Sequence, residues 1–320
     1  MKPIRNFEFP DELKPDFKKA KRLEKITIGY LLSTALVIYL TMGNSQAMKT
    51  AWFEDLLSLT PSISFLVASR IFFKNPTREF PYGYHRVVSI AYLCSALALF
   101  AVGGFLIFDA VKTLVQADRP TIGLVVVLGQ PIWLGYLMIA ALLWGVIPAI
   151  FLGWMKLPIA EKLHEKNLYT DAQMNKADWM TGAAAIGGIL GIGLGWWWAD
   201  AVAAAFISLD ILHDGYINLR QAVFDLMNQI PKTVNNQETD PLIDQIKNYL
   251  KDQDWVDEYE VRLREEGHIY VGEGFVIAKN DENLTRKIAE TSGYIEKMDW
   301  RIHEFLIVPV MDIPKPEAKS

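Results

Sequence analysis

Two groups of oxygen-bearing side chains interrupt stretches that are otherwise apolar enough to cross a membrane. Glu54, Asp55 and Ser58 lie inside Ala51–Phe73, and Asp171, Asn175 and Asp178 lead into the apolar run Trp179–Trp198. A carboxylate at the centre of a bilayer costs roughly 3 kcal/mol or more, so such residues face a bundle interior or an aqueous cavity and mark an ion or proton path. Glu54 and Ser58 are spaced i, i+4, and Asp171, Asn175 and Asp178 are spaced i, i+4, i+7, so each set shares one helix face. The implied chemistry is passage of a cation through a helical bundle. The plainer reading of the same residues is that the acids pair with Lys49 and Lys176 and hold helices together. An accessory group, Asp210, His213 and Asp214 at i, i+3 and i+4, reads as an intake site or proton relay, or as a solvated helix end. Asp200 reads as a helix cap or exit group, and Asp109 as water-facing.

These side chains need long helices to position them. Of the 320 residues 51% are hydrophobic, with a mean hydropathy of +0.15, and the apolar residues concentrate before about residue 225. Charges crowd the first 25 residues and the region after Pro231, a membrane domain with a polar tail. Six spans are expected, each near the ~20 residues that cross a bilayer: Ile26–Asn44, Ala51–Phe73, Val87–Leu114, Ile132–Met155, Leu168–Trp196 and Trp198–Leu219. The fifth helix is expected to begin near Leu157 and to enter the bilayer near Asp171. Lys14, Lys18, Lys19, Lys21, Arg22 and Lys25, then Arg70, Lys74, Arg78 and Arg86, then Lys156, Lys162, Lys166 and Lys176 mark alternate ends of the spans. By the positive-inside rule both termini are cytoplasmic. Gly187, Gly191 and Gly195, with Ala201 and Ala203–Ala205, predict close packing of spans five and six.

The tail reads as a small α-β-β-α-β domain: a helix over Asp240–Leu250, strands through Tyr259–Leu263 and His268–Ala278, a helix over Leu284–Met298 capped from Asp281–Asn283, and a strand over Arg301–Val310. That order suggests a ferredoxin-like sheet. The expected organisation is a cytosolic segment at 1–25, a membrane domain at 26–225, a cytosolic domain at 232–311 and a disordered tail at 312–320. No cleavable signal peptide is visible in Met1–Lys25, so the first span is expected to direct insertion. The net charge of −5 says little about partners, and no basic stripe interleaved with aromatics suggests nucleic acid. The single cysteine, Cys94, excludes a disulfide within the chain and reads as core packing. No nucleophile–base pair and no phosphate-binding Gly-x-x-x-x-Gly-Lys loop is present, which speaks against an enzyme or an ATP-driven pump.

With six spans and this tail, the loop Phe80-Pro81-Tyr82-Gly83-Tyr84-His85-Arg86 resembles the Pro-Tyr-Gly-His-Gly-Arg loop of the cation diffusion facilitator family, and Ala199-Asp200-Ala201 resembles the start of its sixth span. The resemblance covers roughly residues 26–310. It implies efflux of a divalent cation such as Mn²⁺, Fe²⁺ or Zn²⁺ in exchange for protons, a homodimer joined through the cytosolic domain, a lipid surround and no prosthetic group. The family's ligands are His/Asp pairs at i, i+4 on spans two and five. Here the matching positions are Leu57 and Pro61, then Met174 and Asp178, so only Asp178 is kept. A shifted site of Asp178, Asp171, Asn175, Glu54, Asp55 and Ser58 would be oxygen-rich and without histidine, favouring harder ions such as Mn²⁺, Mg²⁺ or Fe²⁺. The alternative is a non-transporting relative, a dimeric scaffold or regulatory partner. Tyr84 and Leu306 replace histidines of the family; His268 and His303 read as isolated structural residues, and His85 and His164 have no assigned partner. Arg86 is expected to pair with Asp225 or to form a plain surface pair.

Overall fold

A computed structural model describes residues 9–117, 121–127, 129–235, 238–280 and 282–313, the side chains of residues 170, 173, 174 and 176–178 excepted. The chain forms two compact units, one of residues 15–69 and 90–223, the other of residues up to 14, 70–89 and 224–320.

The first unit is built on long helices: α1 (Lys14–Thr41), α2 (Gln46–Ile71) and α3 (Val87–Gln116), a hairpin of β1 (Leu124–Val127) and β2 (Gln130–Trp133), then α4 (Leu134–Leu163), α5 (Lys166–Gly193) and α6 (Ala199–Leu226). Among the described residues α1, α3 and α4 are long and apolar enough to cross a membrane, and α5 carries a shorter apolar run, Trp179–Gly193. α2 and α6 fall short because they carry Glu54 and Asp55, and Asp200, Asp210 and Asp214, among their apolar residues. Ile38, Met48, Leu106, Met138, Ile189 and Ile207, one from each helix, meet in a continuous core.

Several boundaries differ from the sequence expectation. α1 starts at Lys14, ahead of the apolar run, because the Lys-rich segment before Ile26 is made largely of good helix formers and Pro15 suits a first turn. α4 continues through Pro148 and Pro158 to Leu163, so residues 157–163 end the fourth helix rather than begin the fifth. Prolines are tolerated in a packed bundle where neighbours satisfy the freed backbone groups. The chain then reverses through His164 (φ 49°) and Glu165 alone, and α4 and α5 pack along one another. Residues 124–127 pair with residues 130–133, which puts Ile132 in a strand rather than in α4. The Val-rich first strand has the β-branched character that favours extension, and Gly129 supplies the positive φ of the turn.

The small-residue face of α5 keeps Gly191 as expected but pairs it with Gly188 in place of Gly187, and Gly195 lies beyond the end of the helix. A Cβ on Gly188 would lie 2.9 Å from Ala203 and one on Gly191 2.3 Å from Ala199, whereas Gly187 and Gly195 have open space around them. The expected contact between α5 and the alanines of α6 is therefore present, carried by residues three apart. Gly103 and Gly215 perform the same role where α3 crosses α6. A Cβ there would reach the Leu212 and Phe100 backbones at 2.8 and 2.6 Å.

The second unit contains α7 (Leu242–Lys251), β3 (Val256–Glu266), β4 (Ile269–Ala278), α8 (Leu284–Met298) and β5 (Ile302–Pro309). This is the expected α-β-β-α-β order. The sheet order is β3-β4-β5, with β3 antiparallel to β4 and β4 parallel to β5, so α8 is the crossover that a parallel pair requires. Leu242, Ile246 and Leu250 of α7 and Ile295 of α8 bury against Val261, Leu263, Tyr270, Val276 and Phe305. Asn283 precedes α8 in a left-handed conformation (φ 55°) and gives no side-chain cap; Asp281 lies outside the described residues, as does most of the segment expected to be disordered, residues 314–320. A buried polar knot closes the sheet. Asp240 accepts hydrogen bonds from the Leu242 N–H (2.9 Å), Tyr270 Oη (2.8 Å) and Arg301 Nη1 (2.6 Å), and Asp299 holds the other side of the guanidinium through two bonds of 3.0 Å.

Candidate ion site

Asp171, on the second turn of α5, is buried, and its Oδ2 accepts hydrogen bonds from Lys156 Nζ and, at 3.4 Å, from Asn175 Nδ2. The same ammonium lies 3.1 Å from Glu24 Oε1 on α1. Lys156 is fully buried on α4. It thus belongs to the interior of the bundle, and not, as its place after an apolar run suggested, among the lysines of a loop. The i, i+4 spacing did bring Asp171 and Asn175 to one face, as read. The partner of Asp171 is nevertheless Lys156, a residue not weighed for that role. The side chains of Asp178 and Lys176 lie outside the described set, so α5 presents Asp171 and Asn175 of the expected trio.

On α2, Glu54 and Asp55 are partly exposed, and Ser58 is buried with its hydroxyl donating to the Glu54 carbonyl at 3.0 Å. That bond uses the serine proton within its own helix and leaves the oxygen lone pairs available. Leu57 and Pro61, at the family's ligand positions, line a small cavity of about 20 Å³, room for about one water, with Tyr92, Leu99, Asn167 and Asn218. Asn167 Nδ2 donates to the Pro61 carbonyl at 3.2 Å and Tyr92 Oη to Asn218 Oδ1 at 2.8 Å, so these polar groups are engaged with protein partners. Among the described residues no three His, Cys, Asp or Glu side chains gather in a cluster able to hold a metal ion.

The remaining charged residues resolve as follows. Lys49 pairs with Asp109 at 3.1 Å, both side chains remaining partly exposed. Asp200 is the cap that its position allowed, but for another helix: from α6 it accepts bonds from Ser45 Oγ (2.6 Å) and from the backbone N–H groups of Gln46 and Ala47, which open α2. A carboxylate there satisfies orphan donors and complements the positive end of the helix dipole. His213 Nδ1 lies 3.7 Å from Asp214 Oδ1, with His213 exposed and Asp214 partly exposed. Cys94 is exposed on α3 rather than in the core, since it falls on the outward face of an apolar helix.

In the second unit the loop between α2 and α3 meets the tail. Arg86 Nη2 reaches Asn228 Oδ1 (2.7 Å) and Glu266 Oε1 (3.1 Å), in place of the expected Asp225. His268 and His303 are not isolated. The ring of His303 lies 5.3 Å from that of His85, and Phe72 stands edge-on between His85 and His268 at 4.8 Å from each. Burial, with the neighbouring His303, pushes the His85 imidazole down to about 4, so it is neutral at physiological pH. No spacing in the sequence brings these three rings together.

The sequence pattern of the cation efflux transmembrane domain matches residues 26–227, well over half of the chain. The chain therefore belongs to the cation efflux family, that of the cation diffusion facilitators, and is an integral membrane protein of a family of transporters. It is 27% identical over 129 residues to the probable proton-coupled zinc antiporter SLC30A4 of Mus musculus, covering 36% of this chain and 30% of that protein. To the cadmium, cobalt and zinc/H(+)-K(+) antiporter of Bacillus subtilis (strain 168) it is 22% identical, covering 66% of this chain and 65% of that one. To the manganese efflux system protein MneS of the same strain it is 26% identical, covering 62% and 64%. The match thus spans less than two thirds of each of these relatives.

Proposed function

We propose that the protein exports a divalent metal cation from the cytoplasm in exchange for protons by alternating access, through an oxygen-rich site between α2 and α5. The six helices would be six spans of the cell's inner membrane with both termini cytoplasmic, and the ferredoxin-like tail would join two copies into a homodimer. The ligands are drawn from Asp178, Asp171, Asn175, Glu54, Asp55 and Ser58. The observation that carries the reading is Asp171, a buried carboxylate on α5 in a chain whose family is defined by its cation efflux domain. Deprotonated carboxylates would take the ion from the cytoplasmic side, and after the bundle rocks outward protons would compete for the same oxygens. The relatives named as zinc, cadmium, cobalt and manganese transporters support a divalent cargo. The histidine-free donor set favours Mn²⁺, Mg²⁺ or Fe²⁺.

Uptake of Mn²⁺ and Zn²⁺ into vesicles reconstituted with the protein, under an imposed pH gradient, tests this. Asp178→Ala and Asp171→Ala should each abolish it, and normal transport by both variants would sink the site. A second reading, a scaffold or regulatory partner that has lost transport, is favoured by Leu57 and Pro61 lining a cavity at the family's ligand positions. It predicts that the purified protein binds none of Mn²⁺, Fe²⁺, Co²⁺ or Zn²⁺ at stoichiometric level.

A further inference from the structure

Lys156 touches two carboxylates from two different helices, Asp171 on α5 and Glu24 on α1. Neutralising Asp171 requires no second acid. Glu24 is 1% exposed; the ammonium at 3.1 Å is the charge that balances it, with the Ser62 hydroxyl of α2 beside it. A buried carboxylate is costly unless paired. With both acids ionised, the three groups carry one net negative charge, more than structural pairing needs.

The arrangement makes sense if Asp171 must at times bind something other than Lys156. For Asp171 to ligate a metal ion, the ammonium has to leave it. In a low-dielectric interior that ammonium cannot be left alone without a large penalty. Glu24 gives it a second place already in contact, on a helix that contributes no proposed ligand. We infer that Lys156 is a tethered internal cation: it occupies Asp171 when no metal is bound and passes wholly to Glu24 when a divalent cation binds at the α5 face. The inference rests on Asp171 being a metal ligand, as proposed above. Its consequence is that the ammonium lowers metal affinity by competing for one carboxylate. It therefore eases release and excludes singly charged ions, which offer Asp171 no more than Lys156 already does. Lys156 and Glu24 are positioning residues, acting on the metal through Asp171.

Calorimetric titration of the purified full-length protein with Mn²⁺, and separately with Zn²⁺, provides the test. Lys156→Met/Glu24→Gln, which removes the ammonium and its second partner together, should bind at least tenfold more tightly than the unaltered protein. Glu24→Gln alone should bind at least tenfold more weakly, because the ammonium then stays on Asp171. Lys156→Arg, which keeps the charge, should show none of the gain. If the double variant is no tighter, or Glu24→Gln no weaker, the internal cation is wrong; should the double variant fail to fold, the Glu24→Gln titration decides alone. Asp171→Ala and Asp178→Ala, titrated alongside, separate the two levels of the argument. Unchanged binding by both overturns the site itself, whereas lost binding by both with no effect at Lys156 or Glu24 overturns only the exchange.

Discussion

Replacing Asp240 with alanine should loosen the tail sheet by an amount that its contacts allow to be worked out. Asp240 is buried and accepts three hydrogen bonds. The Leu242 N–H would lose a side-chain acceptor at the start of α7, worth about 1 kcal/mol. The Tyr270 hydroxyl, fully buried, would be left without its acceptor at a cost of about 1–3 kcal/mol. Arg301 would keep both bonds to Asp299 and so adds little. The sum is about 2–4 kcal/mol. Amide hydrogen exchange in the full-length protein should then be roughly 30- to 900-fold faster through β4 and β5, at about 1.4 kcal/mol per tenfold, with α1 unchanged. Asp240→Asn keeps an acceptor oxygen and should recover part of the loss. Burial pushes the Asp240 carboxyl up, but the Leu242 N–H, the Arg301 charge and the Tyr270 hydroxyl together hold it below the usual carboxylate range. Its folded pKa is therefore the lower one. The stabilisation is present above an unfolded value of about 3.9 and is lost as pH falls through the folded value, so the two proteins should converge in strong acid. Exchange in β4 and β5 within threefold of the unaltered protein near neutral pH would refute the reasoning.

Three further outcomes can be measured directly. His85, held at about 4 in the fold against ~6.5 when unfolded, binds its proton first in the unfolded chain. Stability of the second unit should be flat above pH ~6.5, fall by up to about 3 kcal/mol towards pH 4, and level off below; melting curves of His85→Gln should show a weaker dependence. Asp200→Ala strips three donors at the start of α2 and should cost about 2–3 kcal/mol, read as a lower melting temperature in detergent, with Asp200→Asn intermediate. Gly215→Val should drive α3 and α6 apart and destabilise by about 1–3 kcal/mol, whereas Gly187→Ala, in open space within a helix, should be neutral or stabilise by up to about 1 kcal/mol. Equal melting temperatures for those two glycine variants would contradict the close approach of α3 and α6 at Gly215.

The strongly periodic elements were legible in the sequence. Leu284–Met298 has the bounds expected for it, and the order of helices and strands in the tail follows from alternation and helical spacing. Long-range pairings were not. Lys156 stands after Trp154 and Met155 like any lysine marking the end of a span, and nothing near it in the chain points to Glu24. Local pattern records which residues share a face but not which face meets which neighbour. For the same reason the small-residue face of α5 was legible at Gly191, while its neighbour on that face is Gly188 and not Gly187. Pro158 and the two-residue reversal after it were invisible because a proline within a packed helix looks, in sequence, like its end.

The cap that Asp200 provides has a mechanical consequence. The first turn of α2 is anchored to α6 through a carboxylate, and α6 is anchored to α5 by the seating of Ala199 and Ala203 against Gly191 and Gly188. At this end the three helices are riveted into one plate. α2 and α5, which carry the candidate ligands, cannot slide past each other here. Any change in the opening between them would then be generated as a bend or splay toward the opposite end of α2, where Pro61 removes one N–H from the helical ladder.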